Sequence, residues 1–261
     1  MKISAVQMTM RPLDAAHNFA HAEALIRRAA AEGADVIVLP EMWNTGFVPA
    51  EAVASAADRG GAETKARLGA LARELRVNLM AGSVAIDRGG FLTNTAYVFD
   101  RAGACIAEYD KVHLFTLMGE EKFFRAGSRA VTFPLDGHPC GVILCYDLRF
   151  PELARTLALA GAELLFVPAQ WPIARVGHYE ALLAARAIEN ECFVVGCNSC
   201  GDISGVTFGG SSRILDPLGA ALAAAKQEET VLTADIDFEQ AAAARRGIDV
   251  FRDRRSEVYR L

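Results

Sequence analysis

Short hydrophobic runs alternate with amphipathic segments along this chain, and that alternation predicts a mixed α/β fold. Residues 2–8 alternate between apolar and polar positions, as a first strand does. Residues 14–32 place their apolar side chains at helical spacing, and Gly33 ends this predicted helix. Residues 36–39 form a continuous apolar run, which is typical of a strand covered on both faces. A strand, a helix and a buried strand therefore open the chain.

The next segments predict an antiparallel meander. A helix at about 62–76 precedes a strand at 78–86. Asp87-Arg88-Gly89-Gly90 is a hairpin-turn signal, and residues 91–99 are the predicted return strand. A second turn leads into a strand at 104–109. Because this meander follows a strand–helix–strand unit, we predict a mixed sheet.

The second half of the chain repeats the alternation of strands and helices. The predicted strands are 130–135, 139–144, 163–167, 192–197 and 231–236, and a further strand with a proline-containing turn lies within 209–219. One predicted helix ends near Ala160, and two others span about 177–191 and 238–246. No linker or low-complexity tract interrupts them. We therefore predict a single domain over residues 1–261, with two sheets between helical layers.

Composition and charge limit the classes of protein to which the chain can belong. Hydrophobic residues make up 52% of the chain, which is enough for a packed core, and a net charge of −5 gives no polybasic surface for nucleic acid. No uncharged apolar run reaches the roughly 18 residues that a membrane span needs. The N-terminal segment lacks the long apolar core of a signal peptide, so we expect a cytoplasmic protein with reduced cysteines.

Cys197 and Cys200 form a C-x-x-C pair, which can bind zinc or act in redox chemistry. A zinc site would need a second pair or nearby histidines, and the sequence supplies neither at a suitable spacing. We therefore predict no metal and no cofactor.

Three side chains of different chemistry follow predicted strands. Glu41 comes after the run at 36–39, Lys111 after the meander, and Cys145 after the strand at 139–144. Open α/β sheets place their chemistry at such strand ends. A thiol nucleophile needs a base, which a buried glutamate can be, and a lysine can stabilise an oxyanion or a thiolate. Each residue also has a structural alternative, since Glu41 could cap a turn, Lys111 could be a surface charge and Cys145 could fill the core.

A cysteine–histidine pair is an alternative to this set. His113 and His178 are the histidines near the suspected site loops, but nothing local specifies a pairing with Cys145. Trp43 and Phe47, in the loop after Glu41, could line a pocket.

Three motifs give the chain a resemblance to a known family. They are Leu39-Pro40-Glu41-Met42, the segment Tyr109-Asp110-Lys111-Val112-His113-Leu114-Phe115, and Leu144-Cys145-Tyr146-Asp147-Leu148-Arg149-Phe150-Pro151-Glu152. In this order and at these separations they resemble the nitrilase superfamily of carbon–nitrogen hydrolases. The resemblance covers essentially the whole chain.

The resemblance implies a fold and a set of roles. The fold is an α/β four-layer αββα sandwich with two mixed sheets. Cys145 would be the nucleophile, Glu41 the general base and acid, and Lys111 the stabiliser of the tetrahedral intermediate together with the backbone N–H of Tyr146. Glu120 would be a further site glutamate, favoured over Glu121 by the Phe123–Gly127 run that follows. Members of the superfamily commonly form homodimers through the helices near the cysteine and before Cys192, and then larger homo-oligomers.

Within the superfamily, the chain is similar to small amidases that include omega-amidases, which act on carboxamides of short 2-oxo dicarboxylates. Tyr146 follows the cysteine where nitrile-hydrolysing members usually have tryptophan, which disfavours a nitrile. Gln170 stands where this branch often has asparagine, and Trp43 stands where it often has phenylalanine or tyrosine. The resemblance therefore implies a small-molecule amide substrate and ammonia release, with N-carbamoyl hydrolysis, acyl transfer and non-catalytic binding as alternatives.

The substrate pocket is expected to be built from loop residues near these motifs. The candidate wall and contact residues are Trp43, Phe115, Met118, Gln170 and Trp171. A second carboxylate on the substrate would need an arginine, and Arg149 and Arg175 are the candidates, with a structural salt bridge as the alternative for Arg149.

Overall fold

The structure is a computed structural model, and it describes residues 1–46 and 51–259. The strands, in chain order, are β1 Lys2–Gln7, β2 Val36–Val38, β3 Asp58–Arg59, β4 Asn78–Asp87, β5 Leu92–Phe99, β6 Cys105–Asp110, β7 Thr132–Leu135, β8 His138–Val142, β9 Leu164–Ala169, β10 Phe193–Asn198, β11 Cys200–Ile203, β12 Val206–Gly209, β13 Arg213–Leu215, β14 Ala221–Ala224 and β15 Thr230–Asp235. The helices are α1 Ala15–Ala31, α2 Val53–Ala56, α3 Ala62–Leu75, α4 Pro151–Leu159, α5 Val176–Asn190 and α6 Glu239–Gly247.

The first sheet has the strand order β15-β1-β2-β4-β5-β6, with β3 paired to β4. Strands β1, β2 and β4 are parallel to one another, whereas β5 runs antiparallel to both β4 and β6. Strand β6 therefore runs in the same direction as β2. As a result, the carboxyl ends of β2 and β6 lie at the same edge of the sheet, which brings Glu41 and Lys111 towards each other.

The second sheet has the order β14-β13-β10-β9-β8-β7. Its centre is the parallel trio β8, β9 and β10, and the antiparallel strands β7 and β13 flank it. Cys145 follows β8 and Gln170 follows β9 directly, so both stand at the carboxyl edge of this sheet. Strands β11 and β12 form a separate hairpin.

Three hydrophobic clusters define the layers. The central cluster lies between the two sheets and joins side chains such as Ile3 and Val38 of the first sheet to Val142 and Phe166 of the second. A second cluster packs α1 and α3 against the outer face of the first sheet, and a third packs α4 and α5 against the second. Alternate strand residues thus face the other sheet and a helix layer, which is why β2 is apolar on both faces. The predicted four-layer αββα sandwich is confirmed.

The sequence did not predict α2, β3, β14 or the β11–β12 hairpin. Each strand or helix among them is two to four residues long, too short to carry a periodic hydrophobic pattern. Such short elements form because neighbouring strands offer them hydrogen-bond partners, as β4 does for β3. In the described ranges, no helix is both long enough and apolar enough to span a bilayer.

Candidate active site

Cys145 occupies a sharp turn between the second sheet and α4. Its φ of 44° is in the left-handed region, which a residue with a side chain adopts at a cost in backbone energy. A short 3₁₀ turn, Cys145–Arg149, follows, and Pro151 opens α4 at the first helical position, where proline fits. This strand–turn–helix arrangement confirms the local structure that the sequence predicted around the cysteine.

Asp147 fixes that turn from a fully buried position. One carboxylate oxygen accepts hydrogen bonds from the Leu144 N–H at 2.9 Å and the Tyr109 hydroxyl at 2.6 Å, and the other accepts from the His113 N–H at 2.8 Å. Burial and the neighbouring Asp147 charge raise the pKa of Tyr109 well above its usual range, so the phenol stays protonated as a donor. The segment around Lys111 and the turn around Cys145 are thus joined through one carboxylate.

Glu41 is held by a tight approach between β2 and β4. Gly82, in a bulge of β4, has a φ of +58°, and a Cβ added there would lie 2.0 Å from the Pro40 carbonyl oxygen. The Ser83 N–H donates to the same oxygen at 3.1 Å, and the Ser83 hydroxyl accepts from the Met42 N–H at 3.0 Å. Because only glycine leaves room at position 82, the backbone at Pro40–Met42 can turn and direct Glu41 inward.

Lys111 lies between two carboxylates in the interior. Its Nζ donates to Glu41 Oε1 at 2.8 Å and to the two oxygens of Glu120 at 3.1 and 2.9 Å. Burial alone would lower the pKa of Lys111, but the charges of Glu120 and Glu41 outweigh it and raise that pKa well above its usual value. The lysine therefore stays charged across the neutral and moderately alkaline range.

Glu120, rather than the adjacent Glu121, faces Lys111. Glu120 is fully buried and accepts the Phe115 N–H at 2.6 Å, whereas Glu121 is exposed. Burial raises the pKa of Glu120 above its usual range, although Lys111 acts in the opposite direction. A second carboxyl group therefore lies beside the lysine.

The Cys145 thiol lies against Gln170, which also contacts Glu41. Sγ donates to the Gln170 carbonyl oxygen at 3.7 Å, and the Gln170 N–H donates to Glu41 Oε2 at 3.0 Å. Burial and the Glu41 charge raise the pKa of Cys145 well above its usual value, while Lys111 lowers it less. The resting sulfur is therefore a protonated thiol, and it needs a base before it can attack a carbonyl.

A cavity opens onto these groups. It is lined by Glu41, Lys111, Phe115, Met118, Cys145, Tyr146, Arg149, Gln170, Trp171, Pro172 and Arg175. The two arginines stack on its aromatic walls, Arg149 at 4.9 Å from the Trp171 ring centre and Arg175 at 5.7 Å from that of Phe115. The structure thus brings together every candidate site residue except Glu120, which lies behind Lys111, and Trp43.

Trp43 is a correction to the predicted pocket wall. It is fully buried, its Nε1 donates to the Ala81 carbonyl at 2.8 Å, and its ring packs edge-on against Phe19 of α1. The cause is local, because Met42 has a φ of 46° and reverses the chain direction after Glu41. The tryptophan therefore faces the helix layer and belongs to the core. Phe47, the other aromatic in that loop, lies outside the described residues.

Gln170 lines the cavity, but its amide is directed elsewhere. Nε2 donates to the Glu41 carbonyl at 2.7 Å and lies 3.4 Å from that of Met42. These contacts join the end of β9 to the loop after β2, across the two sheets. The structure therefore gives this side chain a part in positioning Glu41.

Two site residues were missed by the sequence analysis. Asn94 donates to both Glu41 and Glu120, and Asn198 accepts the Trp171 N–H at 2.6 Å. The available signal was a run of polar residues, Thr93-Asn94-Thr95, inside an otherwise apolar strand. Buried polar side chains need partners, so such a run indicates a hydrogen-bonded interior.

The histidine and C-x-x-C alternatives find no support in the described part of the chain. His113 Nδ1 pairs with Asp147 at 2.8 Å, and His178 Nδ1 lies 3.4 Å from Arg149. Cys197 lies between the sheets, and its Sγ is 3.3 Å from each of the carbonyl oxygens of Val6 and Val38. Across residues 1–46 and 51–259, no group of three or more His, Cys, Asp or Glu side chains could hold a metal ion.

Comparison with known proteins decides the family. The model of the carbon–nitrogen hydrolase family matches residues 2–246. The chain belongs to the carbon–nitrogen hydrolase family. A 2-oxoglutaramate amidase from Bacillus subtilis is 40% identical over 257 residues, covering 98% of each chain. Human omega-amidase NIT2 is 33% identical over 251 residues, covering 93% of this chain and 91% of the human protein.

Solved structures agree with this assignment. A cysteine-to-alanine variant of an amidase from Nesterenkonia sp. AN1, in complex with butyramide, has a TM-score of 0.89 and 30% identity, covering 99% of this chain and 95% of that chain. Another variant of that amidase, with a TM-score of 0.89 and 29% identity over the same shares, shows covalent addition of the acetamide moiety of fluoroacetamide at the active-site cysteine. The predictions of an enzyme of this family and of an amidase are therefore confirmed.

Proposed function

We propose that this carbon–nitrogen hydrolase is an omega-amidase, which releases ammonia from the terminal amide of a short dicarboxylate monoamide. The observation that carries the proposal is that Glu41, Lys111 and Cys145 meet in one cavity together with two arginines. The relatives named 2-oxoglutaramate amidase and omega-amidase support the substrate class.

The first half-reaction forms a thioester. Glu41 takes the proton of the Cys145 thiol, and the sulfur attacks the amide carbon to form a tetrahedral intermediate. Glu41 then returns the proton to the nitrogen, the C–N bond breaks and ammonia leaves. A well-placed general base of this kind is worth roughly 10²–10⁴-fold in rate.

Oxyanion stabilisation comes from Lys111 and the Tyr146 N–H. The Lys111 ammonium is charged and buried beside the sulfur, so it faces developing negative charge in a site with little water. The Tyr146 N–H lies in the first turn after Cys145, where helical N–H groups have no carbonyl of their own helix to bind. A single donor to the oxyanion is worth about 3–4 kcal/mol.

The second half-reaction restores the enzyme. Glu41 takes a proton from a water molecule, and the resulting nucleophile attacks the thioester carbon. The C–S bond breaks, the sulfur regains a proton from Glu41, and the carboxylic acid leaves. One amide and one water are thus converted into one acid and one ammonia, and no cofactor takes part.

The distal carboxylate of the substrate is assigned to Arg149 and Arg175. Both line the cavity and lie over aromatic rings, and a guanidinium in this arrangement can still donate hydrogen bonds to a carboxylate. A salt bridge was the alternative considered for Arg149, and among the described residues Arg149 forms none. One of its guanidinium nitrogens lies 3.4 Å from His178 Nδ1.

Ammonia release from a substrate panel tests the proposed function. The panel holds 2-oxoglutaramate, 2-oxosuccinamate, glutamine, asparagine, N-carbamoyl amino acids, and the matched pair succinamate and butyramide. We expect the 2-oxo amides to turn over fastest, and succinamate to exceed butyramide by roughly ten- to a hundredfold, which is what hydrogen bonds to a charged group supply. Equal kcat/KM values for that pair would remove the arginines from substrate binding. Carbon dioxide released with ammonia from the carbamoyl compounds would identify an N-carbamoyl hydrolase instead.

The cysteine variant is measured beside the panel. Cys145→Ala should fold and show no turnover, because the nucleophile is gone while the volume change is small. Cys192→Ala is the matched control, since Cys192 is another buried cysteine in the same helix–sheet layer, and it should keep full activity. A folded Cys145→Ala protein with wild-type activity would disprove the mechanism.

We also propose that the protein is a homodimer or a larger homo-oligomer in the cytoplasm. The support is that Leu159 of α4 is 47% exposed and Ile188 of α5 is 54% exposed on helices that pack side by side. A second subunit that packs against these two helices would cover both apolar side chains. Light scattering of the purified protein gives the mass that tests this.

A further inference from the structure

Asn94 occupies the centre of the buried charge cluster. It is on β5, is 1% exposed, and its Nδ2 donates to Glu41 Oε1 at 2.9 Å and to Glu120 Oε1 at 3.3 Å. A single neutral amide therefore bridges the two carboxylates that flank Lys111.

The orientation of this amide follows from its surroundings. Its oxygen could not replace Nδ2, because it would then face two carboxylate oxygens. Among the described residues, none donates a hydrogen bond to the buried Oδ1 of Asn94. An unpartnered buried oxygen costs stability, so the side chain is explained by what Nδ2 does rather than by packing.

The contacts of Asn94 also divide the two oxygens of Glu41. Oε1 accepts from Lys111 and from Asn94, whereas Oε2 accepts from the Gln170 N–H. The Cys145 thiol contacts the carbonyl of the same Gln170. Because Oε1 already accepts two hydrogen bonds, from Lys111 and Asn94, Oε2 is the Glu41 oxygen that lies towards the Cys145 thiol.

We propose that Asn94 is a positioning residue, whose amide holds the Glu41 side chain turned so that Oε2 faces the Cys145 thiol. The proposal rests on the proposed function, because it assigns Glu41 as the base. Unlike an ammonium or a carboxyl group, an amide does not titrate, so this donor is available at every working pH.

Four titratable groups interact electrostatically with Glu41, and a pH test must take them into account. Lys111 comes from the loop after β6, Glu120 from the short 3₁₀ turn Glu120–Lys122, Cys145 from the turn after β8, and Tyr179 from α5. Of these, Lys111 is a positive charge and Glu120 is a second carboxyl group, whereas the Cys145 thiol and the Tyr179 phenol are protonated and carry no charge. Replacing Asn94 removes the uncharged hydrogen-bond donor to the Glu41 side-chain oxygen Oε1 and leaves these four groups in place.

The test compares Asn94→Asp with Asn78→Asp. Both asparagines are buried in the first sheet and donate to a carboxylate, but Asn78 donates to Asp136, away from the cavity. We expect Asn94→Asp to move the acidic limb of the kcat/KM profile upward by about one pH unit, which is a tenfold loss at a fixed pH on that limb. Asn78→Asp should leave the limb in place. An unmoved limb in Asn94→Asp, with only a lower Tm, would overturn the proposal.

Two further measurements keep the outcome decisive. Asn94→Leu removes the donor without adding charge, and it should shift the limb in the same direction by less. The rate at which iodoacetamide alkylates Cys145, measured against pH, needs no substrate. The alkylation profile should show the same shift even if the enzyme hydrolyses no amide of the panel. Failure of the proposal can therefore be distinguished from failure of the omega-amidase assignment. If Asn94→Asp does not fold, the alkylation profile of Asn94→Leu decides.

Discussion

A tryptophan in the loop after a cavity-lining glutamate can face the cavity or the core, and Trp43 faces the core. Its sequence position, two residues after Glu41, is compatible with both. The left-handed conformation of Met42 decides between them, because it turns the following side chain towards α1. The consequence is that Trp43 supports the fold beneath the glutamate and does not select the substrate.

We therefore expect Trp43→Ala to destabilise the protein by about 3–5 kcal/mol, the usual cost of deleting a buried large aromatic side chain. Trp43→Phe should cost less, since it keeps most of the volume and loses only the hydrogen bond to Ala81. Denaturant unfolding monitored by circular dichroism measures both. A Trp43→Ala variant of wild-type stability with altered substrate preference would return Trp43 to the pocket wall.

Individual site residues were predictable where a motif places them at a strand end. Glu41, Lys111 and Cys145 follow strands whose carboxyl ends meet, and Glu120 was distinguishable from Glu121 by the run that follows it. Asn94 was not predictable, because its role depends on the pairing register of β5 with its neighbours, which brings its amide beside two carboxylates from distant segments.

At the scale of elements, the bulge in β4 determines how closely two strands can approach. The register of β4 against β5 shifts between Met80 and Ser83, and Gly82 lies in that shift. The bulge lets the Ser83 N–H reach the Pro40 carbonyl oxygen. One irregular residue in a long strand thus sets the position of Glu41 on its neighbour.

Gly82→Ala should therefore reduce kcat/KM by at least roughly tenfold, because the backbone at Pro40 must move and a misplacement of about 1 Å at a reacting group is costly. Gly89→Ala is the matched control, since Gly89 also has a positive φ but no atom lies within 4 Å of its added Cβ. That control should lose about 1 kcal/mol of stability through backbone strain and keep its activity. Equal activity losses in the two variants would show that strain, rather than the approach to Pro40, is responsible.

Long elements were predicted closely and short ones were missed. The helix predicted at 14–32 is Ala15–Ala31, and the strand predicted at 78–86 is Asn78–Asp87. A helix of that length shows several turns of periodicity, whereas the two residues of β3 show none. The hydrophobic pattern therefore predicts the long elements that make up the architecture, whereas tertiary hydrogen bonds determine the short ones.

At the scale of the whole molecule, Arg101 ties the two sheets together at one edge. Its guanidinium binds Asp35, at the start of β2, and Asp136, in the turn between β7 and β8. The Lys2 N–H and then Arg101 hold the pKa of Asp35 below its usual value, and Arg101 is the main cause that lowers the pKa of Asp136. Each carboxylate is therefore stabilised in its ionised form by folding.

Because these two pKa values are lower in the folded state, their contribution to stability is complete above about pH 3.8, the ordinary value of an aspartate, and is lost as the pH falls through the lower folded values. We expect Arg101→Gln to reduce stability at neutral pH and to flatten its fall below pH 4. Arg28→Gln, which removes an exposed pair with Glu32 on one helix, should leave the acid profile unchanged. Acid unfolding curves followed by fluorescence test this, and parallel curves for wild type and Arg101→Gln would contradict it.

The two ends of the chain share one sheet, since β15 pairs along the whole of β1. Every strand of the second sheet, by contrast, comes from between residues 132 and 224. A ribosome makes a chain from its N-terminus, so among the described strands β1 emerges before all the others and its outer partner β15 emerges after them. At about 5–20 residues per second, β1 presents an unpaired edge for many seconds after its synthesis. Until residues 230–235 leave the ribosome, this edge of β1 is open to pairing with the wrong strand.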